Sequence, residues 1–293
     1  MKFFTANFKI AQTVSFFLFV ILFTSVGKAY SENGGDDDKY NKGITVSPSH
    51  LNYKVDLGKT KTQKVKVANY TSKAKKFRVI YNDFDMTLDG KSQFLDAGTS
   101  KYSLSKYINI APSFLELAPG ESADISVTVT IPEDSLANKA AWGVLMIEQA
   151  EERQSLDPGN DGGNTVAFGI TPTVAFGVWI YQNPPHVVSN AIEILDFSFD
   201  AKDQNKPKYL LLNVENTGDG ISFCKSYVEL TNLNTGEQQT LGGKNFTLLP
   251  GYKRIFFYEV LAILPKGKYS AVGVIDYGSN SEILAAELEI QIE

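Results

Sequence analysis

The stretch "WGVLMIEQAEERQSLDPGNDGGNTVAFGITPTVAFGVWIYQNPP", Trp142–Pro185, decides the fold class. It contains two apolar runs separated by a polar, glycine-rich segment. In the second run the larger apolar residues fall on every second position: Val166, Phe168, Ile170, Val174, Phe176, Val178 and Ile180. A period of two is typical of a β-strand with one buried face. The spacing therefore predicts a long strand over residues 166–181.

Pro172 interrupts this strand where a central strand needs its backbone donor. Proline is tolerated within sheets at an edge or at a bulge. One explanation is that the strand bends at Pro172 or switches there between two sheets. The other is that the strand has an unpaired edge, which a strand from a partner can join. We therefore predict that the strand has at least one unpaired side at Pro172.

The chain from Gly43 onward has the same character. Runs of β-branched and aromatic residues alternate with turn clusters such as "DLGK", "LDGK" and "LAPGES". A second set of such runs follows "QNPPHVVS", and neither set shows a long helical period. The sequence therefore predicts an all-β protein with two tandem immunoglobulin-like β-sandwiches, residues 44–183 and 187–293. The segment Asn183–His186, with its two prolines, is the predicted hinge.

The N-terminal residues 1–29 have the features of a secretory signal peptide. Lys2 and Lys9 precede an apolar run, and the small residues Gly27 and Ala29 follow it. This pattern predicts cleavage after Ala29, and an uncleaved membrane anchor is the alternative. Residues 30–43 are polar and predict a flexible tether. We expect the mature protein to be soluble, in the periplasm or at the cell surface.

The composition and the scarce catalytic residues favour a binding protein over an enzyme. The net charge is −5, with 43% hydrophobic and 21% charged residues, which indicates a globular chain without a nucleic-acid-binding surface. The two histidines, His50 and His186, lie near no nucleophile motif. Cys224 is alone, so it can form neither an intramolecular disulfide nor a cysteine metal cluster. We predict no catalysis and no cofactor, and we expect Cys224 to be a small core residue.

The first half of the chain resembles the periplasmic pilus chaperones of the PapD type. The resemblance covers residues 44–185 and is carried by "ITVSPSHLNY", "KVKVANYTSKAKKFRV", "IAPSFLELAPGESADISVTVTIP", "AAWGVLMIEQ" and "VAFGVWIYQNPP". It implies that the strand around "TPTVAFGVWIY" lends alternating apolar side chains to an unfinished subunit. The partner would be a secreted or surface protein subunit, bound without stable membrane insertion. The candidate partner-binding residues are Val174, Phe176, Val178, Ile180, Trp179 and His50.

The chain departs from that family at its paired basic anchors. In the family these residues hold the C-terminal carboxylate of a subunit in the cleft between the domains. They would map near His50 and near Gly177 or Val178 of this sequence. The lysine is therefore absent, and the arginine is at best replaced by histidine.

A second family is similar to the whole mature chain. These are the cell-surface proteins that interact with WxL-domain partners, which also pair two exported immunoglobulin-like domains. The similarity rests on "LLPGYKRIFFYEVLAILPKGKYSAVGVIDYG" in the second half. It implies an adhesion or scaffold protein that binds surface proteins or peptidoglycan. Both families consist of noncatalytic binding proteins.

Overall fold

The computed structural model describes residues 2–7, 43–134, 137–150, 174–187, 191–201, 207–261, 263–278 and 282–293. Within these ranges the chain is built from strands and their turns. They contain no helix with the length and apolarity that crossing a membrane requires. The strands form four sheets, two in each half of the chain. The prediction of an all-β chain with two tandem sandwiches is confirmed.

The first sandwich consists of two sheets. One has the order β2 (Gly43–Ser47), β4 (Thr60–Tyr70), β9 (Ser122–Thr130) and β7 (Ile108–Ala111). The other has the order β3 (His50–Tyr53), β11 (Ala175–Gln182), β10 (Ala141–Ala150), β5 (Lys75–Met86) and β6 (Ser92–Leu95), and β8 (Phe114–Leu117) also pairs with β5. The chain passes from one sheet to the other between β2 and β3, at Pro48.

Alternation along the strands builds the core between these two sheets. Ile125, Val127 and Val129 of β9 are fully buried, as the period of two predicts. They pack in one cluster with residues of the facing sheet, among them Leu51, Tyr53, Phe77, Leu145, Ile147, Val178 and Ile180. The Tyr53 hydroxyl donates a hydrogen bond of 2.7 Å to the Val127 carbonyl, which links the sheets.

The second sandwich also consists of two sheets with a core between them. Its three-stranded sheet has the order β12 (Ile192–Asp200), β13 (Lys208–Asn216) and β16 (Lys253–Val260). The facing sheet has the order β1 (Lys2–Asn7), β18 (Glu282–Ile292), β17 (Gly267–Asp276), β14 (Ser222–Asn232) and β15 (Gln238–Leu248). Cys224 is 5% exposed and packs in this core.

The start of the predicted signal peptide is placed as β1, antiparallel to β18, with Lys2 opposite Glu287 and Asn7 opposite Glu282. This strand belongs to the uncleaved chain, and cleavage after Ala29 would remove it. The rest of the signal segment and the predicted tether lie outside the described residues. The signal peptide therefore stays a prediction.

A third apolar cluster joins the two sandwiches. Trp142 is fully buried at its centre and stacks on Tyr102, with 4.1 Å between the ring centroids. Its indole Nε1 donates a hydrogen bond of 3.0 Å to the Phe84 carbonyl. Ile221 and Leu249 enter this cluster from the second sandwich. The joint is therefore a packed core of its own.

The predicted hinge is tied to the second sandwich by hydrogen bonds. The Asn183 side chain donates to the Ile221 carbonyl at 3.0 Å and accepts from the Ile221 amide at 2.9 Å. Away from the hinge, the Ile255 amide of β16 donates to the Leu88 carbonyl in the turn between β5 and β6, at 2.8 Å. Hydrogen bonds at the hinge and at this turn thus supplement the apolar cluster. The exact domain boundaries, 44–183 and 187–293, stay a prediction.

Candidate functional site: the edge of β11 and the cavity beside it

The two halves of β11 differ in their pairing. The whole strand pairs antiparallel with β10 on one side. On its other side, Trp179–Gln182 pair in parallel with β3, and His50 lies opposite Trp179. No described strand pairs with that side of residues 175–178. Among the described strands, the first half of β11 therefore has a free edge.

Two hydrogen bonds show which main-chain groups point to this free edge. The Val174 carbonyl accepts from the Gln149 amide of β10 at 2.9 Å, and the Trp179 amide donates to the Ser49 carbonyl on the opposite side at 3.1 Å. Main-chain groups of successive residues in a strand point to alternate sides. The N–H and C=O groups of Ala175 and Gly177 therefore point outward, where an added strand can bond to them.

The structure separates the six predicted partner-binding residues into two groups. Val178 and Ile180 are fully buried in the first core, and Phe176 packs partly buried against it. These three side chains do not form the outward-facing surface that the sequence suggested, because the apolar face of the alternation covers their own core. Val174 is 50% exposed and His50 is exposed, while Trp179 faces the joint between the sandwiches. Partner binding by any of the six stays a prediction.

Pro172 and the preceding apolar residues Val166, Phe168 and Ile170 lie outside the described residues. The predicted unpaired side at Pro172 itself therefore remains a prediction. The described strand begins at Ala175, so its free edge starts three residues after the proline.

A cavity of about 560 Å³ lies at the end of the free edge, between the two sandwiches. The first sandwich contributes Ser49, His50, Trp179 and Tyr181 to its lining, from β11, β3 and the turn before β3. The second sandwich contributes residues of β14, β15 and β17 with the turn after it, namely Phe223, Cys224, Lys225, Asn245, Phe246, Thr247, Asp276 and Gly278. The Tyr181 and Phe223 rings meet edge to face across the joint, with centroids 5.5 Å apart.

Burial determines the ionisation of the groups on the cavity wall. Tyr181 is 7% exposed, and burial raises its pKa to about 12, although a hydrogen bond with Thr247 opposes that shift. Burial also raises the pKa of the Cys224 thiol to about 12, and the negative charge of Asp276 adds to the effect. Both groups are therefore neutral at physiological pH, and the thiol has no nucleophilic character there.

The described residues show no metal site, since none of their His, Cys, Asp and Glu side chains form a group of three that could hold an ion. The His50 imidazole Nδ1 lies 3.3 Å from the Ser49 hydroxyl on the exposed rim of the cavity. His186 is exposed at the end of the predicted hinge. The described features that could contact a ligand are the main-chain edge of β11 and the cavity beside it.

Sequence reasoning missed the wall from the second sandwich, Phe223, Lys225 and Phe246 in particular. These residues are more than 170 positions from His50 in the chain, and no sequence motif at these positions indicates a binding site. The nearest available signal is the alternation in "GISFCKSYVEL", which puts Phe223 and Lys225 on the opposite face from Cys224.

No family model matches the chain, and no curated protein matches it. Several solved structures resemble it. A chain from a chaperone–tip adhesin complex in CFA/I fimbriae biogenesis is 12% identical, with 85% of this chain and 98% of that chain covered and a TM-score of 0.46. The YadV chaperone is 12% identical, with 85% and 99% covered and a TM-score of 0.43. The E. coli chaperone DraB is 14% identical, with 85% and 98% covered and a TM-score of 0.40.

These structures are of chaperones or chaperone complexes, the class that the sequence resembles. At such identities and TM-scores below 0.5, the likeness by itself assigns neither a family nor a function to this chain.

Proposed function

We propose that this chain is an exported, noncatalytic protein-binding module that acts as a PapD-like periplasmic chaperone or assembly factor. It captures an extended segment of a secreted or pilus-type subunit as an added strand on β11. The single observation that carries this proposal is the free edge of residues 175–178, where the main-chain groups of Ala175 and Gly177 point outward. The class of partner follows from the sequence resemblance.

An exposed strand edge is a hazard, because it templates pairing with other chains. Natural sheets usually block such edges with charged side chains, proline or a covering segment. The described part of this edge carries Ala175 and Gly177, which are neither charged nor proline. Small residues leave room for the backbone of an incoming strand, and main-chain bonding accepts many sequences. This suits a protein that holds unfinished subunits.

The main-chain bonds alone give modest affinity. A hydrogen bond contributes about 0.5–1.5 kcal/mol net, and only two residues direct their groups outward within the described edge. Selective binding therefore also requires side-chain contacts. The exposed Val174 at the start of the edge and the cavity at its end are placed to supply them.

Substitutions at Gly177 test strand addition. A Cβ on Gly177 would meet its nearest atom, Val144 Cγ2, at 3.5 Å, which is ordinary van der Waals contact. Gly177→Ala is therefore the matched control, because it keeps the amide donor. Gly177→Pro removes the outward donor and leaves the hydrogen bonds to β10 in place. Each variant would be purified with an affinity tag from the periplasm of the native host, and bound subunits identified by mass spectrometry.

We expect the wild type and Gly177→Ala to retain one immature subunit and Gly177→Pro to lose it, with all three equally folded by circular dichroism. Retention of the same subunit by a folded Gly177→Pro protein would overturn strand addition. If the wild type instead binds purified peptidoglycan or a folded surface protein, the scaffold function implied by the WxL-type resemblance replaces the chaperone function.

Export is tested separately by N-terminal sequencing of the protein from its native host. We expect the mature chain to begin at Tyr30, because Gly27 and Ala29 supply the small residues that a signal peptidase requires. An intact Met1 in the membrane fraction would contradict export as a soluble protein.

A further inference from the structure

Four aromatic residues, two from each sandwich, contribute to the lining of the cavity beside β11. Trp179 and Tyr181 come from the first sandwich, and Phe223 and Phe246 come from the second. Phe223 is 43% exposed and His50 is exposed, so the cavity opens to solvent between them. Its volume of about 560 Å³ lies in the range of pockets that enclose small organic ligands.

The charges on the wall are balanced. Lys225 and Asp276 are the lysine and the carboxylate among the lining residues, and they lie directly opposite each other on β14 and β17. A carboxylate entering the cavity would therefore meet the charge of Asp276 as well as that of Lys225. The lining provides no net positive charge to hold an anion.

The cavity continues the free edge of β11. Trp179 lines it, and Gly177, the last outward-pointing residue of the edge, is two positions away. A strand added along residues 175–178 ends beside Ser49, where β3 takes over the pairing. The terminal residue of such a strand therefore lies at the mouth of the cavity.

We propose that the cavity takes an aromatic side chain from the end of the partner's added strand, and that this ring, rather than a terminal carboxylate, anchors the partner. The inference rests on the proposed strand addition. Aromatic rings pack favourably edge to face, as Tyr181 and Phe223 already do. The partners that fit are extended segments with a Phe, Tyr or Trp at the end of an alternating apolar run.

Four synthetic peptides test this anchor against a carboxylate anchor. Each has an acetylated, alternating Val/Thr body, with either Phe or Ala at both ends, so that either strand direction brings the test residue to the cavity. Each sequence is made with a free C-terminal carboxylate and as an amide. Binding to the full mature chain is measured by isothermal titration calorimetry. We expect the Phe peptides to bind about tenfold more tightly than the Ala peptides, and acid and amide to bind alike.

Two lining variants sharpen the test. Phe223→Ser removes a half-exposed ring, so the fold is retained, and it should abolish the preference for Phe. Lys225→Gln removes the lysine that a carboxylate anchor would need, and the preference for Phe should persist in it. Glu229→Gln, at an exposed position of the same strand outside the lining, is the matched control. A preference for the acid over the amide that disappears in Lys225→Gln would overturn the aromatic anchor, as would equal binding of Phe and Ala peptides.

A failure of the proposed strand addition can be distinguished from a failure of the aromatic anchor. If none of the peptides binds, or if Gly177→Pro leaves their binding unchanged, the proposed function fails. The cavity is then probed alone with N-acetylphenylalaninamide and N-acetylalaninamide, by chemical-shift changes at Trp179 and Thr247. Shifts with the phenylalanine compound only would keep the aromatic site, and their absence would remove it.

Discussion

The two sandwiches each contain a buried asparagine that bonds to a neighbouring turn, and they differ in the pairing of their last strands. Asn69 and Asn216 are both fully buried near the end of a strand. The Asn69 side chain donates to the Leu117 carbonyl and the Asn216 side chain to the Leu248 carbonyl, each at 2.9 Å. Each amide oxygen accepts a main-chain N–H two residues later at 3.0 Å. The contacted turns are "LAPGE" in the first sandwich and "LLPGY" in the second.

The difference lies in what covers the outer edge of the last strand. In the first sandwich the chain splits its first strand between two sheets, so β3 covers only Trp179–Gln182 of β11. In the uncleaved chain β12 of the second sandwich stays in one sheet, and β18 pairs with β17 on one side and with β1 on the other. Cleavage after Ala29 would remove β1, and no other described strand covers that edge of β18. The first sandwich therefore differs in that β3 covers half of the edge of its last strand and leaves the other half open beside the cavity.

The largest expected effect is at the joint that holds the two sandwiches together. Trp142→Ala should destabilise the protein by about 3–5 kcal/mol, because it leaves a large cavity in a fully buried cluster. It should also uncouple the sandwiches, so that calorimetry shows two unfolding transitions in place of one. Trp142→Phe keeps most of the apolar volume and should lose less. A single transition at the wild-type temperature in Trp142→Ala would contradict the role of this cluster.

Asn69 and Asn216 should contribute equally to the free energy of unfolding. Asn69→Ala and Asn216→Ala each leave buried carbonyls without a donor, which costs about 1–3 kcal/mol. Urea denaturation of each variant, compared with the wild type, measures the loss. Asn69→Asp and Asn216→Asp keep the side-chain size but lose the amide donor, so they should be no more stable than the alanine variants. A loss confined to one sandwich would show that the two asparagines are not equivalent.

Cys224 should contribute packing and nothing more. Cys224→Ala should lower stability by about 1–2 kcal/mol and leave partner binding intact, because the thiol is 5% exposed in the second core. Its pKa of about 12 also keeps the thiol protonated at neutral pH. Iodoacetamide at pH 8 should therefore label the protein only after unfolding. Rapid labelling of the folded protein, or loss of partner binding in a folded Cys224→Ala variant, would show a functional thiol.

The smallest expected effect on stability is at the free edge itself. Val174 is 50% exposed, so Val174→Lys should change the free energy of unfolding by less than about 0.5 kcal/mol. It should nevertheless weaken partner co-purification, since lysine on an edge opposes strand addition. Phe176 packs partly buried against the first core, so Phe176→Lys should destabilise the protein more than Val174→Lys but less than Trp142→Ala. Equal stability of the two lysine variants would show that the Phe176 side chain does not pack inward.

The sequence by itself determined the class of fold and the course of several strands. The alternation in "SADISVTVTIP" gave the buried face of β9 correctly, and "WGVLMIEQ" and "VAFGVWIYQ" correspond to β10 and β11. A period of two is a property of the local sequence, so it can be recognised without knowing which strands lie beside it. The hinge at Asn183–His186, which the two prolines indicate, stays a prediction.

Only the tertiary structure decided which face of β11 is buried and where its edge is free. The alternation of apolar residues would be the same if Phe176, Val178 and Ile180 packed against a partner instead of their own core. The period of two does not specify what packs against the apolar face of the strand. The free edge depends on where β3 begins beside β11, and the cavity depends on Phe223 and Phe246 of the second sandwich lining the same space as Trp179 of the first. Edges and cavities are made by contacts distant in the chain, and a local pattern carries no information about those contacts.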